Sequence, residues 1–454
     1  MIRLRYELRL LLRSKISAVA LLVLLILSVV AVITGLSASA RQNAVIDRVA
    51  VAQQRDLAAV AKQYGKPDGE AGYAAYYTFH LTSDRPSSLA FAAMGQRDIQ
   101  PYVLRVRLLG LQAQLYETEA VNAELALPGP FDFAFVLIYL APLVVIALMH
   151  DLVSGEREAG RLRVLSALPA RPGLLWLQRA GLRLGLVLAA LLAPLLLGAL
   201  AARADVGGVA ALSLVAVLYV AFWAGLGLLV AAWGRRSAFN AAALVGCWVV
   251  LVLLVPALGN AALSRAVPVG RGVDLTLAQR EAVHHAWDIP REAIMEPFLA
   301  KHPEWKAAPP TGGGFHWSWY YAMHEMGDDS VAGQVAAYRA SLAARQAWTE
   351  RLGWLSPAAA AQSLVHRIAD SDLPAHLAYQ DSVAAFHRRL QTFYYPYLFG
   401  ERPFLRADFD RAPAYAPRLL SGSMAVVPLL ALMVLTAGVW IGATANSRRT
   451  ADQG

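Results

Sequence analysis

Residues that could bind a metal ion are concentrated in one polar segment of the sequence. Imidazole and carboxylate side chains, which zinc and copper accept as ligands, occur there at His284, His285, Asp288, His316, His324 and Glu325. No HExxH or paired CxxC pattern fixes the spacing of these groups. We therefore predict structural, hydrogen-bonded histidines and no resident metal, with zinc or copper binding as the alternative.

The sequence offers no arrangement typical of a catalytic centre. Ser318 and Ser356 lack the context of a nucleophile elbow. Cys247, the single cysteine, lies in an apolar stretch where a thiolate would be costly. Residues 312–314 are three glycines, but no G-x-x-x-x-G-K-[ST] phosphate loop occurs in the chain. We predict that the chain is not an enzyme and holds no cofactor of its own.

A dense aromatic cluster follows the three glycines. Its members are Phe315, Trp317, Trp319, Tyr320 and Tyr321. Trp and Tyr provide much contact area at little entropic cost, so this cluster is a candidate patch for a substrate or a periplasmic partner, whether peptide, glycan or lipid. Core packing or a belt at the membrane interface is the alternative.

The composition requires a membrane to surround much of the chain. Of the 454 residues, 57% are hydrophobic and only 16% are charged, whereas soluble domains carry roughly 25% charged residues. The net charge of +9 could suggest nucleic acid as a partner, but the arginines cluster beside apolar runs, which is typical of membrane topology. We predict membrane lipid, and no nucleic acid, around this chain.

Six uncharged stretches are long enough to span a bilayer, which takes about 20 helical residues. They are Ile16–Leu36, Phe133–Met149, Leu184–Ala202, Val206–Gly234, Ser237–Ser264 and Leu419–Ser447. The corresponding span assignments are residues 16–36, 131–149, 180–202, 206–234, 237–260 and 419–445. Arginines flank alternate ends of these spans, so both termini are predicted to be cytoplasmic.

The remaining residues divide by side of the membrane. An interfacial amphipathic helix is expected over 1–15, a cytoplasmic loop over 150–179 and a cytoplasmic tail over 446–454, with extracytoplasmic domains over 37–130 and 261–418. The first domain is predicted to be mixed α/β, since residues 102–108 alternate as in a strand, and the second to be mainly helical. The predicted fold class is an all-α polytopic membrane protein with six transmembrane helices and two extracytoplasmic domains.

The loop after the second span carries alternating charges beside an apolar face. Glu156, Arg157, Glu158 and Arg161 lie within about one helical turn of one another, and the apolar face comprises Leu152, Leu162 and Leu165. This pattern predicts one short amphipathic helix along the membrane surface, ended by Pro169 and Pro172, that could fill a groove on a cytoplasmic partner. A plain solvated connector is the alternative.

This loop resembles the coupling helix of ABC-2-type, export-class ABC transporter permeases. The resemblance is carried by Gly155-Glu156-Arg157-Glu158-Ala159-Gly160-Arg161-Leu162 and the following Leu165-Ser166-Ala167-Leu168-Pro169, with Arg161 where the family usually has Thr. In the family this loop docks on the ATPase subunit. The resemblance therefore implies a docking surface formed by Glu156, Arg157, Glu158, Gly160 and Leu162.

The second extracytoplasmic segment is similar to that of a bacterial subfamily of these permeases with a large periplasmic domain of unknown function. The similar residues are His316-Trp317-Ser318-Trp319, Leu352-Gly353-Trp354-Leu355-Ser356-Pro357 and the stretch from Phe386-His387 to Phe393-Tyr394. The resemblance implies a multi-pass protein of the bacterial inner membrane.

The resemblance also implies a function and partners. The chain would be an exporting permease subunit, working with two copies of an ABC ATPase that bind ATP and Mg, with a second permease subunit, identical or related, and with a periplasmic protein. One alternative is a mechanotransmitter that acts on periplasmic partners without moving a substrate across the bilayer. A second alternative is a membrane-anchored sensor or scaffold.

Overall fold

The computed structural model describes residues 2–116, 131–166, 172–233, 235–306, 314–418 and 425–452. In these residues the chain is mainly helical, with one two-stranded sheet and six helices long and apolar enough to cross a membrane. The prediction of a mostly α-helical protein with six helices able to cross a membrane is thereby confirmed.

The elements follow one another along the chain in this order: α1 Ile2–Arg13, α2 Lys15–Tyr64, α3 Ala71–Tyr77, β1 His80–Ser83, two 3₁₀ turns at Ala90–Ala92 and Gly95–Asp98, β2 Val103–Val106, α4 Leu111–Tyr116, α5 Phe133–Phe135, a π-helical segment Val136–Leu140, α6 Ala141–Met149, α7 Ser154–Glu158, α8 Leu162–Ser166, α9 Pro172–Ala201, α10 Val206–Ala231, α11 Ser237–Trp248, a second π-helical segment Val249–Leu254, α12 Val255–Ala266, α13 Gly272–His285, α14 Arg291–Lys301, a 3₁₀ turn Pro303–Trp305, α15 Trp317–Ser330, α16 Ala332–Leu352, α17 Pro357–Ile368, α18 Leu373–Leu398, α19 Arg406–Arg411 and α20 Val426–Asp452.

Several membrane helices extend beyond the predicted spans. The first continues as α2 to Tyr64, about 75 Å in all, and ends at Gly65, where a turn interrupts the periodic pattern. The third, α9, begins at Pro172 and not at residue 180, because proline is well tolerated in the first turn of a helix. Residues 419–424, the predicted start of the sixth span, lie outside the described residues.

Two membrane helices contain a π-helical segment next to a proline. Val136–Leu140 precedes Pro142 in the second span, and Val249–Leu254 precedes Pro256 in the fifth. Proline cannot donate a backbone hydrogen bond, and its ring crowds the carbonyl one turn earlier. A local widening of the helix is one way to relieve that crowding, and such bulges change the direction of a helix.

Helix α10 lies at the centre of the membrane bundle, against α6, α9, α17 and α20. The hydroxyl of its Tyr219 donates to the Ile138 carbonyl (2.8 Å), and Trp440 Nε1 of α20 donates to the Ala221 carbonyl (2.9 Å). Both bonds satisfy polar groups that would be costly to leave unpaired among apolar side chains. They fix α10 to its neighbours on two sides.

Helix α17 packs into the membrane bundle, although residues 261–418 were predicted to lie wholly outside the membrane. Ala358, Ala360 and Ala361 are buried in the same apolar core as α10 and α20. Their small side chains permit the close approach that this packing requires. Ser356 caps the helix by accepting the Ala359 amide, and its hydroxyl also donates to the Leu251 carbonyl of the fifth span (2.6 Å).

Most of the remaining described residues form one extramembrane body, which we define as residues 65–116, 272–306, 314–354 and 370–418. Its strands β1 and β2 are antiparallel, with His80 opposite Val106. One apolar core includes Val106 from the first segment and Tyr379 and Phe386 from the second. The two predicted domains therefore share a core, because the short sheet would leave its inner face uncovered without α18.

A buried chain of charges lies within this body, where the body meets α2 and the end of α17. Arg97 pairs with Asp84 (2.6 Å), Asp84 pairs with Arg418 (3.2 Å), and Arg418 pairs with Asp370 (2.5 Å) at the end of α17. The side-chain amide of Gln42 on α2 donates to the Arg97 carbonyl (2.9 Å). Removing one member would leave an unpaired charge away from water, so the chain fixes how these segments meet.

Candidate functional site

The loop after the second span contains two one-turn helices, α7 and α8, where a single helix was predicted. Gly160 separates them with a left-handed φ of 71°. The Arg161 amide donates to the Glu156 carbonyl and the Gly160 amide to the Arg157 carbonyl (both 2.9 Å), which is the Schellman pattern of a helix end. Glycine adopts this backbone conformation without strain, and so it stops the helix before Pro169. Residues 167–171 lie outside the described residues.

Glu156 is held within the chain and does not point freely into solvent. Its carboxylate pairs with Arg161 (2.6 Å) and with Arg179 of α9 (2.9 Å). Arg179 also pairs with Glu7 of α1 (3.0 Å), and only 10% of its side chain is exposed. A bridging guanidinium with two carboxylates is a charge-assisted arrangement that restrains all three groups. Glu156 therefore links the loop to α9 and α1.

Glu158 connects the same loop to the fifth span. Its Oε1 accepts the Ser237 backbone amide (2.8 Å), one of the free donors in the first turn of α11. Nearby, the hydroxyls of Ser154 and Ser237 lie 2.8 Å apart, and Asn240 Nδ2 donates to Ser154 Oγ (3.3 Å). We call residues 150–166 together with Glu7, Arg179, Ser237 and Asn240 the loop joint.

The exposed face of the loop joint is formed by other side chains. Arg157 is exposed, Leu162 is half-buried, and Val164 is 68% exposed. Among the five predicted docking residues, Glu156 and Glu158 make contacts inside the chain and Gly160 forms the turn. Val164 was missed because, within a single predicted helix, it lay outside the apolar stripe of Leu152, Leu162 and Leu165.

The predicted aromatic patch is divided by the fold. Trp319 and Tyr321 are 3% and 1% exposed and belong to the core of the extramembrane body, so neither is available to a ligand. Phe315 is 53% exposed, and Trp317 and Tyr320 are half-buried. The alternation follows from α15, which turns one face to the core and the other outward.

A cavity of 620 Å³ opens beside the accessible part of this patch. Its walls come from the turn after α2, the start of α15 and the end of α18. They are lined by Asp68, Gly69, Glu70, Ala71, Gly72, Tyr73, Phe315, His316, Trp317, Tyr397, Leu398, Glu401, Arg402 and Pro403. Of this set, sequence analysis singled out Phe315 and Trp317 in the aromatic cluster and His316 as a candidate metal ligand, since the other lining residues lie far away along the chain.

The candidate metal ligands are not brought together. Across the described ranges, no three His, Cys, Asp or Glu side chains are grouped so that they could hold a metal ion. His284 and His285 are exposed on α13, whereas both ring nitrogens of His324 are buried without a hydrogen-bond partner. Burial lowers the pKa of His324 to about 4, helped by the nearby Arg107 and His387.

Glu325 is the centre of a polar cluster that sequence analysis did not find. Its carboxylate lies 2.8 Å from both Lys301 Nζ and His302 Nε2 and 2.5 Å from the Tyr395 hydroxyl. Burial would raise the pKa of Glu325, but the hydrogen bonds from His302, Lys301 and Tyr395 outweigh it and lower the pKa. The cluster holds α14, α15 and α18 together, which is a structural role.

Comparison with known proteins adds one match. A family model described as a domain of unknown function (DUF3526) matches residues 274–418, less than half of the chain. These residues run from α13 to Arg418 and include α17, the aromatic segment and the Glu325 cluster. No curated protein and no solved structure matches the chain.

Proposed function

We propose that this chain is the permease subunit of an ABC exporter of the bacterial inner membrane. A separate ATPase, present in two copies and binding ATP and Mg, would drive it from the side of the loop joint, and a second permease subunit would complete the pathway. The six membrane helices and the resemblance of residues 155–162 to a coupling helix support this proposal. The extramembrane body would then lie in the periplasm.

The observation that carries the proposal is the set of connections made by the loop joint. Through Glu156 and Arg179 the loop is connected to α9 and, by Glu7, to α1. Through Glu158 it is connected to the first turn of α11. A displacement of this loop by a partner would therefore move several membrane helices together, as coupling to ATP hydrolysis requires.

The same contacts refine which residues meet the ATPase. In this proposal Glu156 positions the loop and does not itself contact the ATPase, because its carboxylate is already paired with Arg161 and Arg179. The contact surface is better supported at Arg157, Leu162 and Val164, which lie on the accessible side. An exposed apolar side chain beside a cation is typical of a docking surface.

Co-purification from the native host tests the proposal. We expect the chain to bring an ABC ATPase, identified by mass spectrometry, and Arg157→Glu combined with Val164→Asp to lose it. Arg388→Glu, which reverses an exposed arginine on α18, is the matched control and retains the ATPase. Size-exclusion profiles check that each variant stays folded. A folded wild-type chain that brings no ATPase contradicts the proposal and favours a sensor or scaffold.

The mechanotransmitter alternative is favoured by one feature, the continuity of α2. This helix runs without interruption from the predicted first span into the extramembrane body, where Gly65 ends it. Ala50→Gly with Val51→Gly would soften it, at about 1 kcal/mol per residue. If the alternative holds, ATP-dependent distance changes between spin labels at positions 13 and 388 disappear while ATP hydrolysis continues. If the softened variant keeps the same ATP-dependent change in distance as the wild type, the alternative is contradicted.

A further inference from the structure

The cavity beside the end of α2 has the size of a small-molecule site. Its volume of 620 Å³ lies within the range of roughly 300–1,000 Å³ that is typical of ligand pockets. Three separate elements form its walls: the turn after α2, the start of α15 and the end of α18. What the cavity could bind is determined by the chemistry of these walls.

The cavity is lined by four aromatic side chains, Tyr73, Phe315, Trp317 and Tyr397, and Trp317 lies at a steep angle to two of them. The Trp317 ring lies 4.8 Å from Tyr73 at 71° and 4.8 Å from Phe315 at 87°. In such edge-to-face pairs the two ring planes are nearly perpendicular, so their electron-rich faces point in different directions. Such faces attract cations, and quaternary ammonium groups are recognised by aromatic enclosures of this kind.

The polar groups of the walls are predominantly acidic. The lining includes three carboxylates, those of Asp68, Glu70 and Glu401, and one guanidinium, that of Arg402. Glu70 Oε2 accepts the Trp317 indole N–H (2.9 Å), which fixes the ring on which a cation would rest. Excess negative charge beside aromatic faces adds a Coulombic attraction for a cation.

Glu401 is held at the cavity by an uncommon backbone conformation. Its φ of 49° lies in the left-handed region, which residues with a long side chain rarely adopt. His316 Nε2 lies 3.4 Å from Glu401 Oε1, while His316 Nδ1 lies 2.6 Å from the Ser318 hydroxyl. Such conformations persist where the surroundings enforce them and are concentrated at binding sites.

We propose that this cavity is a binding site for a small organic cation with a substituted ammonium group. The ammonium would contact the faces of Tyr73, Phe315 and Trp317, and Glu401 and Glu70 would balance its charge. The site goes beyond the proposed function, because it needs neither the ATPase nor transport. Its occupant would be soluble, since the cavity lies at the end of α2, about 40 Å along the helix from the predicted end of the first span at Leu36.

Isothermal titration of the purified full-length chain in maltoside detergent tests the site. The probes are choline and its neutral isostere 3,3-dimethylbutan-1-ol, which has the same shape without the charge. We expect choline to bind and the isostere to bind at least about tenfold more weakly, since only the cation gains from the ring faces. Equal binding of both, or no heat with choline at millimolar concentrations, overturns the proposal.

Variants separate the contributions of rings and charges. Phe315→Leu and Glu401→Gln, both at exposed positions, are expected to weaken choline binding roughly fivefold each. Arg402→Gln should strengthen it, because it removes the opposing charge. Glu296→Gln, at an exposed position on α14, is the matched control and leaves binding unchanged. Weaker binding by Arg402→Gln would indicate an anion site and overturn the proposal.

Bilayers distinguish a soluble ligand from a lipid headgroup. The chain is reconstituted in phosphatidylcholine and, separately, in phosphatidylglycerol, and choline is titrated in both. Equal affinity in the two bilayers supports a soluble occupant. Loss of choline binding in phosphatidylcholine alone means that headgroups fill the cavity and overturns the soluble assignment.

Discussion

Glu158 and Ser237 are 79 residues apart along the chain, yet the carboxylate of the first accepts the backbone amide of the second at 2.8 Å. The loop after the second span thus supplies the cap for the fifth. Because Arg236, the residue before α11, provides no side-chain cap, this long-range contact takes over that role. A change in the loop is transmitted directly to the start of a membrane helix.

Removing this cap should destabilise the start of α11. We expect Glu158→Ala to cost about 1 kcal/mol, since an unpaired donor in the first turn loses its partner. Hydrogen exchange should accelerate at the first turn of α11, measured by mass spectrometry on the chain in detergent. Arg157→Ala, one residue away and exposed, is the control. Equal acceleration in both variants would show that the effect is not due to the cap.

The contacts of Arg179 should be interdependent. Arg179→Met is expected to destabilise the chain by about 2 kcal/mol, because it leaves Glu7 and Glu156 without their shared partner. In the Arg179→Met background, Glu156→Gln should lower the free energy of unfolding little further, although the same substitution lowers it clearly in the wild type. A double-mutant cycle of unfolding free energies measures this coupling. Additive effects would mean that the ion pairs contribute nothing to the joint.

The extramembrane body should be sensitive to acid. Burial lowers the pKa of His80 to about 3 and that of His324, His376 and His387 to about 4. In an unfolded chain these groups titrate near about 6.5, so their contribution to stability is complete above that pH and is lost as the pH falls toward 4. Unfolding in detergent, followed by tryptophan fluorescence at successive pH values, should show this decline.

His387→Gln isolates one of these groups. The ring nitrogen Nε2 donates to the Arg107 and Leu109 carbonyls (3.1 and 2.9 Å), and the amide of Gln can replace one such bond. Between about pH 4 and pH 6.5, unfolding of this variant should take up about one proton fewer than unfolding of the wild type. The slope of its unfolding free energy against pH should therefore be smaller by roughly 1.4 kcal/mol per pH unit. His285→Gln removes an exposed histidine as the control. An unchanged slope in His387→Gln would contradict the assignment.

Asp328 should act in the opposite sense. Burial raises its pKa to about 7, against hydrogen bonds from the Leu111 and Gln112 amides. Its contribution to stability is therefore complete below about pH 3.9 and is lost as the pH rises through 7. Asp328→Asn keeps one acceptor for the amides without the charge. We expect it to gain on the order of 2 kcal/mol over the wild type between about pH 5 and pH 8.

The same pH series contains the check on this prediction. Asp410→Asn, at an exposed position, should follow the wild type at every pH. If Asp328→Asn is less stable than the wild type throughout, the carboxylate is charged in the folded chain and its two backbone hydrogen bonds dominate.

Sequence patterns predicted helices and strands well where the residues of the element itself determine its type and its ends. Apolar runs identified the six membrane helices, because a helix must bury its backbone in lipid over about 20 residues. Val103–Val106 is a strand, as the alternation of residues 102–108 predicted. Gly160 was overlooked as a helix end, since its charged neighbours fit one continuous amphipathic turn.

Contacts between distant segments could not be predicted in this way. Hydropathy marks which side chains avoid water, but not which partner covers them. The packing of α17 against α10 and α20 was therefore not predicted, and neither was the division of the aromatic cluster between core and surface. The pairing of Glu158 with Ser237, the charge chain from Arg97 to Asp370 and the meeting of Tyr73 with Trp317 arise only when helices pack. The sequence by itself determined the membrane helices and their approximate limits, because hydrophobic length and capping act locally. The tertiary structure decided the joint, the shared core and the cavity, because these depend on the relative positions of segments far apart in the chain.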